Sequence, residues 1–442
     1  MRQRLPSVPA GAAVPARLTR RGALVALLVA TAAFRMTQNM AVTTLSLLAR
    51  EAVHLGAGAI GALGATSGIA VAAVTLVLSR RVPHHWAAVS AAAGMGGLAL
   101  ALLVLAAAPS FAVLAAGAVL LGVAGGFAMP GLLNAIVAES GRQRERVIAV
   151  YTVTLSVSLA AGPLVETLVL AVAHQAVRVP YVVFAVLPCV GVPLALMASR
   201  HRVKSVPTPR PELSAASGGE LMVDPSTDEV VAVTVEPVLG FGAPGRRSLA
   251  SRWRTGLLAT SAGRMAIVSE LLYGIPFAGI TVFGALVARV GYGFTPARAQ
   301  LGFTVFFVLS FAARAAVAWR APIVRKRALL MLSAGLTLAG LVLLGLGHGA
   351  GALFVAMGLL GIPHGLTFPL ALALVAEATP VAKLPRANAT LLGSANVTGV
   401  VVPLVLGGII PAVGYRGMTL ALLAPVAVFS ALLVGLRYRP AP

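Results

Sequence analysis

The stretch HRVKSVPTPRPELSAASGGELMVDPSTDEVVAVTVEPVLGFGAPGRRSLASRWR, residues 201–254, is the one long polar passage in an otherwise apolar chain. It contains Pro207, Pro209, Pro211, Gly218 and Gly219, and six of the chain's twelve acidic residues fall within it, between Glu212 and Glu236. Low hydrophobicity with Pro, Ser and Glu leaves too little apolar surface to offset the entropy of ordering, so 201–254 reads as a disordered linker. On each side of it lie six apolar runs of about 20 residues, the length at which a helix crosses the hydrocarbon core of a bilayer. They fall near 23–48, 57–79, 86–108, 111–138, 147–173 and 179–199, then 256–288, 295–319, 328–347, 351–376, 388–411 and 416–436.

Composition agrees with a lipid solvent. Of 442 residues, 59% are hydrophobic and 10% charged, against roughly 25% charged in soluble domains. A soluble enzyme of this composition would have nothing to place at its surface. The runs do not alternate apolar with polar residues, which excludes a membrane β-barrel. The expected fold class is an all-α membrane protein of twelve transmembrane helices. Its expected divisions are an N-terminal tail (1–22), a six-helix bundle (23–200), the linker (201–254), a second six-helix bundle (255–436) and a short tail (437–442).

The net charge of +22 would point to nucleic acid in a soluble protein. Here it follows topology. With the N-terminus inside, 26 of the 34 basic residues fall in cytoplasmic segments and five in outer loops, leaving Arg35, Arg264 and Arg314 within spans. That asymmetry places both termini in the cytoplasm and removes the case for nucleic acid. Basic residues before the apolar stretch 23–33 resemble a signal peptide, but Arg35 interrupts the stretch and similar spans follow, so the first span is expected to stay in the mature chain. Cys189 is the single cysteine. It excludes an internal disulfide and a cysteine metal site, and no other metal or cofactor site is expected.

The two halves share an order of features. Ala30-Thr31 precedes Arg35-Met36 as Ala259-Thr260 precedes Arg264-Met265. Arg81-Val82-Pro83 answers Arg320-Ala321-Pro322, Pro130 answers Pro369, Glu139 answers Glu377, and Arg146 with Pro163 answers Arg386 with Pro403. The offsets stay between 229 and 240 residues, as a duplicated six-helix unit requires.

A parallel repeat of this kind with a central cytoplasmic loop resembles the major facilitator superfamily, over essentially the whole chain. Ser158-Leu159-Ala160-Ala161-Gly162-Pro163 in span five is similar to that superfamily's antiporter motif, although Leu164-Val165-Glu166 replaces its glycine-rich continuation. The basic loop Ser79-Arg80-Arg81-Val82-Pro83-His84-His85 stands where the family has an aspartate-containing motif, without the aspartate. The resemblance implies two bundles related by pseudo-two-fold symmetry, alternating access around a central cavity, and spans one and seven beside that cavity.

Charged side chains in mid-bilayer are costly and normally face a cavity or a partner. Arg35 and Arg264 are candidates for a paired guanidinium clamp on a carboxylate or phosphate, or for structural ion pairs. Gln38 and Asn39 follow Arg35 at i+3 and i+4, which makes them candidate cavity residues; Tyr151, His364 and Asn396 join them on spans five, ten and eleven. Glu270 is placed to meet Arg35 or a proton. Glu166 is either a second proton carrier or a carboxyl bonded to a hydroxyl such as Thr167. Arg80, Arg81, Glu139, Arg146, Arg320, Glu377 and Arg386 are candidate gate residues at the cytoplasmic ends. Gly61, Gly64, Gly68, Gly122, Gly125 and Gly126 read as close helix contacts, not phosphate loops. No Walker lysine motif occurs, which argues against ATP drive.

The expected function is therefore a monomeric secondary transporter in the cytoplasmic membrane, exporting a small organic solute with proton coupling through Glu270 or Glu166. The alternatives are an organic-anion or phosphate-ester exchanger using Arg35 and Arg264, and a receptor or scaffold that keeps the fold without transport. An enzyme is not expected, because no nucleophile–base pair or metal cluster appears in the sequence.

Overall fold

The computed structural model describes residues 19–81, 86–140, 144–199, 257–319, 325–380 and 383–436. The expected linker, the far ends of both tails and Arg320 lie outside the described residues, as do the side chains of Arg80 and Arg81.

A chain dissolved in lipid must satisfy its backbone polar groups internally, and a helix does so within one segment. The described chain is accordingly helical: α1 (Arg20–Glu51), α2 (Ala57–Arg81), α3 (Ala87–Ala107), α4 (Phe111–Ser140), α5 (Arg144–Val172), α6 (Val179–Ser199), α7 (Ser261–Leu286), α8 (Pro296–Trp319), α9 (Lys326–Leu346), α10 (Gly349–Ala378), α11 (Leu384–Ala421) and α12 (Leu423–Gly435). Thr19 and Thr260 cap α1 and α7, their hydroxyls accepting from the N–H groups of Gly22 and Gly263. A five-residue π turn, Val287–Gly291, ends α7.

Eleven helical stretches among the described residues are long and apolar enough to cross a membrane. The last, Arg386–Gly435, takes in both expected spans 388–411 and 416–436. Gly414 divides it, at φ 73° and ψ 174°, a left-handed conformation that glycine adopts without a Cβ penalty.

The duplication is visible in the packing. In the first half α3 packs on α4 and α6, α2 on α4, and α1 on α4, α5 and α6. In the second half α9 packs on α10 and α12, α8 on α10, and α7 on α10, α11 and α12. The same six pairings recur under the substitution of α1 by α7 through α6 by α12. The halves meet where α2 packs on α11, α5 on α8 and α1 on α7, and that set is also symmetric under the exchange.

Small residues permit these approaches. A Cβ at Gly61 would lie 2.3 Å from the carbonyl oxygen of Pro403, and one at Gly122 would lie 2.4 Å from that of Ser67. A Cβ at Gly162, in the antiporter-like motif, would lie 2.9 Å from the Met36 carbonyl oxygen, so α1 and α5 run close together there.

Candidate functional site

Three helices present one stripe each to a cavity of about 400 Å³ between the halves. On α1 the stripe is Gln38, Val42, Leu45 and Ser46; on α2 it is Ile60, Gly64, Ser67, Gly68 and Val71. On α7 it runs from Glu270 through Tyr273, Gly274, Phe277 and Ala278 to Thr281 and Val282. Steps of three and four place each set on one helix face. His364 and Phe368 of α10, with Ala395, Thr398 and Gly399 of α11, close the wall.

Arg35 continues the α1 stripe one turn toward the helix N-terminus, and its Nη1 donates to Gln38 Oε1 at 3.0 Å. Gly125 leaves room for that amide, since a Cβ there would sit 2.7 Å from Gln38 Nε2. Arg35 is within electrostatic reach of Tyr151 and of Arg314 on α8. Arg314 donates to Ser156 Oγ of α5 at 3.2 Å, across the boundary between halves, while its buried Nε has no partner among the described residues. Both arginines act electrostatically on His364. That ring stacks on Phe277 at 4.4 Å between centroids, with Tyr273 and Phe306 at 5.6 and 5.4 Å.

Arg264 lies elsewhere. Helix α7 starts at Ser261, so Arg264 falls in its first turn and is exposed, whereas Arg35 stands fifteen residues into α1. The shared Ala-Thr and Arg-Met steps sit at different depths in the two helices, and the arginine within electrostatic reach of Arg35 is Arg314. Arg314 lies inside an apolar run, and nothing in its local sequence assigns it a role.

The two intramembrane carboxyls occupy different surroundings. Glu270 is 6% exposed, lines the cavity and has no hydrogen bond or ion pair among the described residues; the anticipated contact with Arg35 is not made. Glu166 is fully buried outside the cavity. Its Oε1 accepts from Thr44 of α1, not from Thr167, whose hydroxyl donates to Pro163 O. Gln300 Nε2 of α8 donates to Thr44 Oγ1 at 3.2 Å, so the group spans both halves. Among the described residues, Glu166 Oε2 and Gln300 Oε1 are left without partners.

Asn39 is spent on packing. Pro163 has no N–H to give the carbonyl four residues back, and Asn39 Nδ2 donates to that carbonyl, Leu159 O, at 2.8 Å. Asn396 is exposed, and the cavity takes its neighbours instead. Tyr151 is buried beside Arg35 without lining the cavity.

Among the gate candidates, Glu377 pairs with Lys326 inside the second half, and Glu139 is 9% exposed with its backbone oxygen accepting from Arg20 Nε. Arg146 borders a shallow groove with Leu24 and Leu28, and Arg386 is exposed. The latches between halves gather at the opposite end. There Arg289 pairs with Glu51 at 2.5 Å, Gln175 Oε1 accepts from Ala297 N at 2.9 Å, and the Thr167 hydroxyl, bonded first to Pro163 O, reaches Ala297 O as a longer shared contact at 3.4 Å.

Solved structures share this architecture. The nucleoside transporter NupG superposes with a TM-score of 0.69 at 13% identity, over 94% of this chain and 100% of that one. A bacterial homologue of the human lysosomal transporter Spinster, inward-facing and unoccupied, gives 0.64 at 13% identity over 96% and 99%. The human organic anion transporter MFSD10 gives 0.58 at 16% identity over 94% and 100%. At these identities the likeness concerns the fold. No curated protein matches the sequence. The profile described as Major Facilitator Superfamily matches residues 27–293 and 266–442. A profile match across both symmetric halves, joined to the six-by-six packing, means that this chain belongs to the major facilitator superfamily.

Proposed function

We propose that the protein is a monomeric proton-coupled exporter of a small organic solute, working by alternating access across the cytoplasmic membrane with twelve crossings and both termini inside. The observation that carries this reading is the cavity between symmetric halves whose polar latches gather at one end. With the termini cytoplasmic, the latched end faces outward and the conformation is inward-facing. Glu270 is the proton carrier in contact with solute. Glu166, buried against Thr44 and Gln300, couples protonation to the contact between halves. Two symmetric bundles rocking about a midplane site provide the movement.

The test uses a Cys189→Ser background with Thr167→Cys and Ala297→Cys, joined by a short reducible crosslinker in proteoliposomes. Crosslinking should abolish solute-dependent proton movement, and reductant should restore it. Full activity in the crosslinked protein would refute alternating access, and a lack of solute-dependent proton movement in any state would favour a receptor or scaffold.

A further inference from the structure

We propose that Gln175 is the releasable catch of the outer gate, a side chain that bridges the halves from a turn where the second half has glycine. This rests on the reading of the latched end as the outward, closed end of an alternating-access carrier.

Among the described residues six have a left-handed φ. They are His54 (58°), His174 (49°) and Gln175 (68°) in the first half, and Gly293 (71°), Gly349 (73°) and Gly414 (73°) in the second. The duplication sets these turns in register, since a step of 239 residues carries His54 to Gly293 and Gln175 to Gly414. The backbone agrees: Leu55 N donates to Ala49 O at 3.0 Å, and at the same step Phe294 N donates to Ala288 O at 3.1 Å. At the end of α5, Gln175 N donates to Leu170 O at 2.8 Å, the bond with which a helix closes on a left-handed residue. Glycine adopts this conformation without a Cβ clash, whereas any other side chain strains it. The second half is unstrained at both places, and the first half is not.

A backbone outlier that one glycine would relieve points to a task for the side chain. His54 and His174 are exposed. Gln175 reaches across the boundary between halves, where its Oε1 accepts from Ala297 N at 2.9 Å. Ala297 is the second residue of α8, and the first N–H groups of a helix have no partner within it. Pro296 brings no N–H, and Arg298 N is met locally by Thr295 Oγ1 at 3.3 Å. Ala297 is 6% exposed, so little water reaches its N–H, and the acceptor comes from the other half. Gly414, the counterpart of Gln175, offers no side chain, and a Cβ added there would meet nothing within 4 Å among the described residues. The catch is therefore one-sided. It is also weak enough to release, because one neutral hydrogen bond shifts a conformational balance by only about 2- to 12-fold.

The experiment uses full-length protein in proteoliposomes, with Cys189→Ser and Ser46→Cys, and follows labelling of the cavity cysteine by an impermeant thiol reagent added outside. Gln175→Gly relieves the turn and removes the catch. It should melt no lower than the parent yet label about 2- to 12-fold faster. Gln175→Asn tolerates the left-handed turn but is one methylene too short, and it should also label faster. Gln175→Glu keeps both reach and acceptor and should label like the parent. His174→Gly relieves the neighbouring residue without touching the catch, so it should raise the melting temperature and leave labelling unchanged. Parent-like labelling of Gln175→Gly, a clear fall in its melting temperature, or equal acceleration by His174→Gly would each overturn the inference. The Thr167–Ala297 crosslink separates the two levels. If it blocks transport while Gln175→Gly labels like the parent, alternating access stands and the catch fails; full transport in the crosslinked protein would remove the underlying reading and the catch with it.

Discussion

Gly61→Ala is the sharpest probe of the latched end. The added Cβ would lie 2.3 Å from the Pro403 carbonyl oxygen and 3.1 Å from its carbon. Carbon–oxygen contacts in packed helices settle at about 3.3 Å or more, so α2 and α11 must part by about 1 Å. The carbonyl belongs to helix backbone and cannot rotate away as a flexible side chain would. Overpacking of this kind costs about 1–3 kcal/mol. On the alternating-access reading proposed above, the contact belongs to the end that opens in the alternate conformation, so the strain falls on one state only. It should shift the balance between conformations by about 5- to 150-fold toward the outward-facing one. The assay places a cysteine at Ser46 in the Cys189→Ser background and follows labelling by an impermeant thiol reagent added outside. Ser46 lines the cavity and is 2% exposed, so slow labelling should become at least fivefold faster with Gly61→Ala. Gly393→Ala is the control, since its added Cβ would meet no other helix within 4 Å among the described residues; labelling should not change. A Gly61→Ala protein that melts and labels like the parent would show the close approach to be absent. Lower stability with unaltered labelling would show that the contact persists in both conformations, against the gating argument.

Asn39→Ala should lower stability by about 1 kcal/mol, read as a fall in melting temperature, because Leu159 O loses its donor. Pro163→Ala supplies the missing N–H, so the double substitution should cost less than the sum of the two single ones; strict additivity would refute this account. Glu270→Gln should stop uphill, proton-driven movement while leaving solute exchange across the membrane intact, and loss of both would show a binding role instead. Glu51→Ala should change outer-end accessibility by only a few-fold, since the partly exposed pair with Arg289 is worth about 0–1 kcal/mol; a larger effect would mean that this pair dominates the latch.

Much of the fold was legible because lipid imposes a simple rule on sequence. Apolar runs of helical length and the basic bias of their loops follow from the cost of bare backbone and of charge in hydrocarbon. The order of Pro130 and Pro369, and of Glu139 and Glu377, exposed the repeat that the packing displays in six matching pairings. The close-contact glycines were legible for a related reason: Gly61 and Gly122 sit where a Cβ would meet a neighbouring carbonyl.

The site was only partly legible. The i, i+3, i+4 rule puts Arg35 and Gln38 on one face, and the two side chains bond there because that contact lies within one helix. It also grouped Asn39 with them, although Asn39 answers a carbonyl left bare by a proline on another helix. Composition and periodicity therefore determined by themselves an all-helical membrane chain, its duplication and the stripes its helices could present. Only tertiary packing decided that Arg35 bonds Gln38 far from the exposed Arg264, that Glu270 meets the cavity, and that Glu166 is enclosed by Thr44 and Gln300. Helix periodicity is a property of one segment, whereas the partner of a buried charge depends on where helices from different halves begin, how deep each residue sits and which faces are turned together.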